Sequence, residues 1–117
     1  MIFIVDDDLE MAGCDKRVVG DSAEVRIFAN GIEAMSVIAE GELPDLIFLD
    51  ILLDGPDGFT FLHELVSYSD TRKIPVVIIS SLDFSGRDLS DYGVVGILEK
   101  EKMTPEEIVG YVKNQVG

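Results

Sequence analysis

Basic residues are scarce in this sequence. Lys and Arg together number 9, Asp and Glu number 23, and the formal net charge over 117 residues is −14. Proteins bind nucleic acids largely through Lys and Arg side chains that displace the counterions of the phosphate backbone. Anionic membrane surfaces attract proteins through the same side chains. The composition therefore argues against nucleic acid and against a membrane as partners of this domain.

Cysteine, histidine and tryptophan are scarce or absent, with one Cys, one His and no Trp. Cys14 has no partner in the chain, which excludes an intrachain disulfide and indicates a reducing compartment. The apolar run at residues 1–5 has no basic flank and is too short for a signal peptide. No apolar run approaches the roughly 18 residues of a membrane-spanning helix. We therefore expect a cytoplasmic protein.

The sequence is nevertheless apolar enough to fold. Hydrophobic residues make up 47% of it and the mean hydropathy is +0.27, which excludes intrinsic disorder despite the large net charge. A chain of this length buries about two-thirds of the surface that its unfolded form exposes, so it needs no disulfide or metal to form a core. We predict one domain over residues 1–117.

Short apolar runs alternate with longer segments of helical periodicity. The apolar runs predict strands at residues 2–5, 24–28, 46–49, 76–79 and 94–98. Helical patterns occupy residues 9–19, 31–40, 58–66 and 105–116, and the weakest helical pattern lies at 83–92. Because parallel strands are joined by crossover connections, this alternation predicts an α/β fold with a doubly wound, five-stranded parallel sheet between helices.

The helical pattern at residues 31–40 has a start signal and an apolar stripe. Asn30 followed by Glu33 matches an N-cap with its reciprocal acid, and Gly41 stops the pattern. Thr104 begins the last helical pattern in the same way. The apolar residues of the 31–40 segment that keep helical spacing are Ile32, Met35, Ile38 and Ala39.

Charged and hydroxyl side chains follow the predicted strands. Asp6-Asp7-Asp8 follow the first strand, Asp50 the third, Ser80 the fourth, and Glu99-Lys100 the fifth. Parallel α/β sheets bind ligands at the carboxyl ends of their strands. Three acids after the first strand would repel a phosphate, which argues against a nucleotide-binding turn there. A hard divalent cation such as Mg²⁺ relieves the repulsion among these carboxylates.

These residues, in this order and at these strand ends, resemble the receiver domain of two-component response regulators, in particular the chemotaxis-response-regulator-like members. The segments that carry the resemblance are Val5-Asp6-Asp7, Pro44-Asp45-Leu46-Ile47-Phe48-Leu49-Asp50, Asp57-Gly58-Phe59, Pro75-Val76-Val77-Ile78-Ile79-Ser80-Ser81 and Gly96-Ile97-Leu98-Glu99-Lys100. The resemblance implies a flavodoxin-like three-layer sandwich with strand order 2-1-3-4-5. The weak pattern at 83–92 predicts a fourth helix that is short or poorly formed.

The resemblance also implies roles for these residues. Asp50 would be the phosphoacceptor, Asp6 and Asp7 the acids that bind Mg²⁺ together with Asp50, and the backbone carbonyl of Leu52 the remaining protein ligand. Ser80 and Lys100 would contact the phosphoryl group. The family implies a sensor histidine kinase or a phosphotransfer protein as donor, an output partner or effector domain that the sequence does not identify, and phosphorylation-dependent dimers among its members. Such a protein promotes only its own phosphotransfer and dephosphorylation, so it is not an enzyme in the usual sense.

Other interpretations of the same residues remain open. Asp8 also fits a helix N-cap, and Ser81 and Lys102 compete with their neighbours for the hydroxyl and cation roles. Glu101 stands where the family usually has Pro, and Ile97 where it often has an aromatic residue. These departures favour an alternative, a pseudo-receiver that binds partners independently of phosphorylation. A haloacid dehalogenase-like phosphatase would need a second Asp two residues after Asp50, where Leu52 stands.

Overall fold

The computed structural model describes residues 1–20, 23–50, 58–80 and 90–115. Its strands are β1 (Ile2–Val5), β2 (Val25–Phe28), β3 (Leu46–Asp50), β4 (Val76–Ser80) and β5 (Val94–Glu99). Its helices are α1 (Leu9–Val19), α2 (Gly31–Ala39), α3 (Gly58–Ser67) and α4 (Pro105–Gln115), with a 3₁₀ helix at Ser90–Tyr92. Among these described helices, none is long and apolar enough to cross a membrane.

The five strands form one parallel sheet in the order β2-β1-β3-β4-β5. In the central register Ile4 pairs with Ile27 on one side and with Phe48 on the other. Helices α1 and α4 pack against each other, as do α2 and α3. The predicted fold class and strand order are therefore confirmed. The prediction of a short fourth helix falls mostly on residues 81–89, which lie outside the described part of the chain.

The three central strands β1, β3 and β4 are buried on both faces because their apolar runs are continuous, whereas the edge strands β2 and β5 are partly exposed. Successive side chains point to opposite faces, so one strand supplies two cores. The core that includes α2 and α3 contains Phe3, Val5, Ile47, Leu49, Phe61, Leu62 and Leu65. The core that includes α1 and α4 contains Ile2, Ile4, Phe48, Ala12, Ile108 and Val112. This arrangement leaves the loops at the carboxyl ends of the strands as the place for polar side chains.

The predicted helix starts are present. The backbone N–H of Glu33 donates to Asn30 Oδ1 at 2.9 Å. Glu107 N–H donates to Thr104 Oγ1 at 3.3 Å, and the Thr104 N–H donates back to Glu107 Oε1 at 3.2 Å. These reciprocal bonds satisfy N–H groups that have no partner inside the helix, which fixes the start of α4 after β5.

Helix α2 is rotated so that its buried face only partly overlaps its apolar stripe. The buried residues are Gly31, Ala34 and Ile38, whereas Ile32 is 60% exposed. The rotation follows from a close approach to α3, because a Cβ atom at Gly31 would lie only 3.1 Å from Cδ2 of Phe61. Small residues let two helices pack at this distance. The helical spacing of the sequence thus places the stripe on one face of α2 but does not specify the partner that this face meets.

Candidate functional site

Three acids converge at the carboxyl end of the sheet. Asp50 is the last residue of β3, and Asp6 follows β1, which is its neighbour in the sheet. Carboxylate oxygens of Asp6, Asp7 and Asp50 all lie within 4.8 Å of one another. Asp6 and Asp50 are buried, at 2% and 5% exposure, and Asp7 is exposed. The parallel pairing of two adjacent strands thus brings together residues that are more than 40 positions apart in sequence.

Lys100 provides the positive charge at this cluster. Its Nζ lies 2.9 Å from Asp50 Oδ2 and 3.7 Å from Asp6 Oδ1. Its backbone N–H donates to the carbonyl of Ser80 at 2.9 Å, which ties the residue after β5 to the end of β4. Lys102, the competing cation, is 81% exposed and pairs with Glu99 at 3.4 Å. Of these two lysines, Lys100 is therefore the one that contacts the acids.

Ser80 ends β4, beside the strand that carries Asp50. It is fully buried, and in the sheet register it pairs with Glu99, next to Lys100. The residue before it in β4, Ile79, pairs with Asp50 of β3. Ser81 and Leu52, the latter predicted to contribute its carbonyl, lie outside the described residues.

Burial and charge act in opposite directions on the acids and the cation. Burial raises the pKa of the Asp6 carboxyl to about 6, although the Asp8 N–H and the Lys100 ammonium both lower it. The Asp8 N–H donates to Asp6 Oδ1 at 2.9 Å. Burial alone would lower the pKa of Lys100, but its hydrogen bond to Asp50 and the charges of Asp6 and Asp50 raise it above the usual value. The ionised form of Lys100 is thus favoured.

The charges at this site fit a divalent cation. Three carboxylates and one ammonium leave two negative charges when all are ionised. The donor atoms are all oxygens, the ligands that Mg²⁺ prefers, and a site with two or three carboxylates leaves room for the waters that Mg²⁺ retains. The exposure of Asp7 keeps the cluster open to solvent on one side. These residues therefore fit Mg²⁺ by charge and by ligand type.

One buried acid lies outside this cluster. Asp15 on α1 is 3% exposed, and its Oδ2 has no hydrogen-bond partner among the described residues. Burial raises its pKa to about 6, and the charge of Lys100 lowers it only in part. The sequence pattern does not single out Asp15. Its spacing of three residues from Ala12 and four from Val19, both buried, is the signal that could have predicted its burial.

Comparisons with known proteins show the family and the fold of this chain. The family model of the response regulator receiver domain matches residues 2–113. Response regulator PleD of Caulobacter vibrioides is 36% identical over 86 residues, which cover 73% of this chain and 19% of PleD. The chain spans between 19% and 31% of the length of the first curated relatives it matches.

Solved structures share the fold. The phosphorylated cyanobacterial phytochrome response regulator RcpA has a TM-score of 0.84 at 26% identity, over 99% of this chain and 93% of that chain. The receiver domain of sensor histidine kinase PA1611 from Pseudomonas aeruginosa PAO1 has a TM-score of 0.82 at 21% identity, over 99% of this chain and 96% of that chain. That structure has a magnesium ion coordinated in the active site cleft. Since the family model covers nearly every residue, the chain belongs to the receiver domain family of two-component response regulators.

Proposed function

We propose that this chain, taken as one receiver domain over residues 1–117, accepts a phosphoryl group on Asp50 with the help of Mg²⁺ and so switches a signalling output. The observation that supports this most is the position of the Asp50 carboxylate. It is buried at a strand end, 2.9 Å from the Lys100 ammonium and within 4.8 Å of two further acids. Receiver domains accept phosphoryl groups from histidine kinases, so the proposed donor is the phosphohistidine of a sensor histidine kinase or of a phosphotransfer protein.

The transfer requires a nucleophile and neutralisation of charge. A carboxylate oxygen of Asp50 attacks the phosphorus atom, an O–P bond forms, and the P–N bond to the donor imidazole breaks. The imidazole keeps the electron pair of that bond and takes up a proton. The Lys100 ammonium stabilises the negative charge on the phosphoryl oxygens, and its backbone hydrogen bond to Ser80 holds it beside Asp50.

Metal binding falls to the acids of the cluster. Asp6, Asp7 and Asp50 would hold Mg²⁺, with the backbone carbonyl of Leu52 as a further ligand. Bound Mg²⁺ supplies the charge neutralisation that a phosphoryl group needs when it meets several carboxylates. This role accounts for the excess negative charge of the cluster, which Lys100 alone does not balance.

The switch rests on Ser80. In the proposed active state its hydroxyl donates a hydrogen bond to a phosphoryl oxygen on Asp50. A contact that exists in one of two states shifts the equilibrium between them by its own free energy, which for a hydrogen bond to a charged group is about 2 kcal/mol. The end of β4 and the segment after it would then be drawn toward Asp50.

Phosphorylation by a small donor tests this proposal. Incubation with acetyl phosphate and Mg²⁺ is expected to add one phosphoryl mass to the intact protein, as measured by mass spectrometry. Asp50→Asn is expected to remove this adduct, whereas Asp91→Asn, at an exposed acid of the 3₁₀ helix, is expected to keep it. No adduct on the unmodified protein, or an equal adduct on Asp50→Asn, would overturn the proposal.

A second candidate is a pseudo-receiver, a protein-interaction module that no longer uses phosphorylation. Ile97 favours it, because a half-buried aliphatic side chain packed against the core stands where an aromatic residue often changes position in the family. Exposed Glu101 in place of Pro is the second departure. Partner binding that ignores both Mg²⁺ and Asp50→Ala would decide for this candidate, even if acetyl phosphate modifies Asp50.

A further inference from the structure

A groove of about 630 Å³ lies between α2 and α3 and shares no residue with the acidic cluster. Buried Ile38 and Thr71 line it, and Ile32 and Tyr68 line it with exposures of 60% and 58%. These two are the most exposed large apolar side chains among the described residues. The other lining residues are Met35, Ser36, Ala39, Gly41, Glu64 and Asp70. The groove thus has an apolar interior and a partly acidic rim.

The apolar stripe of α2 faces this groove. All four residues that keep helical spacing in the sequence, Ile32, Met35, Ile38 and Ala39, line it. Such a stripe normally packs against another element of the same protein. Here the close contact of Gly31 with Phe61 turns a different face of α2 toward α3, so Ile32 and Ala39 of the stripe stay exposed, Met35 is half-buried and Ile38 is buried. An amphipathic stripe in this position is suited to an apolar surface supplied by a partner.

The charge around the groove selects for a cationic partner. Glu64 and Asp70 line it, and Glu40 is the C-cap of α2. Neither α2 nor α3 has a basic residue in its last turn, whereas α1 has two and α4 has one. Because both helices follow parallel strands, their carbonyl ends lie at the same edge of the molecule. The negative ends of the two helix dipoles therefore lie at the same edge as the acidic side chains of the groove.

We propose that this groove, defined by the lining residues above, is a docking site for an amphipathic helix of a partner protein that carries Lys or Arg beside its apolar face. A helix fits because α2 and α3 form a groove of the kind into which the side-chain ridges of a third helix pack. Helix α2 has 9 residues, about 14 Å in length, so three turns of partner helix would cover the groove. A second copy of this chain is disfavoured, since it would oppose one net charge of −14 to another.

Binding of a model peptide tests the proposal without phosphorylation. The probe is a synthetic helical peptide of about 14 residues with Leu on one face and Lys on its flanks, added without Mg²⁺ or phosphodonor. Titration calorimetry and the methyl resonances of Ile32 and Met35 would report affinity and location. Ile32→Ser is expected to weaken binding about tenfold, because it removes a large apolar contact at the edge of the groove. Val95→Ser, at an exposed apolar residue of β5, is expected to leave the affinity unchanged.

Charge variants separate a specific site from general attraction to an acidic protein. The double variant Glu64→Gln with Asp70→Asn is expected to weaken peptide binding several-fold. The matched double variant Glu10→Gln with Glu106→Gln removes the same charge from exposed positions on α1 and α4, and is expected to retain affinity. Equal losses in both, or equal binding of a peptide with Glu in place of Lys, would overturn the proposal. Sedimentation that shows a dimer weakened by Ile32→Ser would assign the groove to a second copy instead.

Discussion

Asp6 and Asp15 are two acids with the same burial and different surroundings. They are 2% and 3% exposed, and burial raises the pKa of each to about 6. Asp6 Oδ1 accepts a hydrogen bond from the Asp8 N–H and lies 3.7 Å from Lys100 Nζ, whereas Asp15 Oδ2 has no hydrogen-bond partner among the described residues. The difference shows that a hydrogen bond and a close ammonium offset the burial of Asp6, whereas for Asp15 on α1 the described residues provide the charge of Lys100 and no hydrogen bond to Oδ2.

Both acids make folding less favourable as the pH rises. Their folded pKa of about 6 exceeds the unfolded value of 3.8, so the folded protein holds these protons more tightly. The stability that the protonated forms contribute is complete below about pH 4 and is lost as the pH rises through about 6. Two pKa units correspond to about 3 kcal/mol per acid as an upper limit. A cation bound beside Asp6 can offset the cost of ionising this buried acid. Variants of Asp6, Asp15 and Lys100 separate the behaviour of the two acids.

Removal of Lys100 is expected to have the largest effect. Lys100→Met keeps a chain of similar length but leaves Asp6 and Asp50 without their shared ammonium. An uncompensated buried charge is costly, so we expect a loss of about 3 kcal/mol in the free energy of unfolding at pH 8 and a smaller loss at pH 5. Urea unfolding at both pH values measures it. Lys102→Met, at an exposed residue whose ammonium pairs with Glu99, is expected to change stability by under about 0.5 kcal/mol. Equal losses would contradict the central position given to Lys100.

Asp15→Asn is expected to stabilise the protein. The amide has nearly the same shape and no charge to desolvate, so the gain at pH 8 is expected to be about 2 kcal/mol. At pH 4, where Asp15 is protonated in the folded state, the gain is expected to vanish. Urea unfolding across this range measures the difference from the unmodified protein, with Asp91→Asn as an exposed control. A gain that does not depend on pH would show that titration of Asp15 is not its cause.

Asp6→Asn is expected to stabilise by a similar amount and to differ in its response to metal. Without Mg²⁺ we expect a gain of about 2 kcal/mol at pH 8, because the pKa of about 6 already includes the opposing effects of Lys100 and the Asp8 N–H. Millimolar Mg²⁺ raises the melting temperature of a protein whose folded state alone binds it. Asp6→Asn is expected to lose this rise and Asp15→Asn to keep it. If both variants keep it, Asp6 is not a metal ligand.

The meeting of Asp6 and Asp50 could be predicted from the sequence. Two continuous apolar runs predict buried strands, and parallel strands place their carboxyl ends at one edge of the sheet. The sequence placed Lys100 directly after β5 but left Lys102 open as its competitor. Local patterns placed each residue at the end of its own strand, whereas the order of the strands came from the family resemblance. The roles of these residues in phosphoryl transfer and metal binding remain predictions.

Contacts between helices could not be predicted in this way. The rotation of α2 depends on how closely Gly31 approaches Phe61, a residue on another helix. The burial of Asp15 depends on the packing of α1 against α4 and the sheet. Helical spacing shows which residues share a face, but the partner of that face is set by side-chain volumes elsewhere in the chain. The α2–α3 groove and the burial of Asp15 therefore emerge only from the three-dimensional structure.

The pH dependence of metal binding is expected to give the smallest effect and the sharpest distinction between the two acids. With a pKa of about 6, Asp6 is mostly protonated at pH 5, and Mg²⁺ must displace this proton to bind. We expect about tenfold weaker binding at pH 5 than at pH 7.5, equivalent to about 1.4 kcal/mol. Titration calorimetry at both pH values measures the ratio. Asp15→Asn is expected to keep the full ratio, since its carboxylate does not belong to the metal cluster. Equal affinities at the two pH values would mean that Asp6 is ionised at pH 5, and that Lys100 compensates its burial completely.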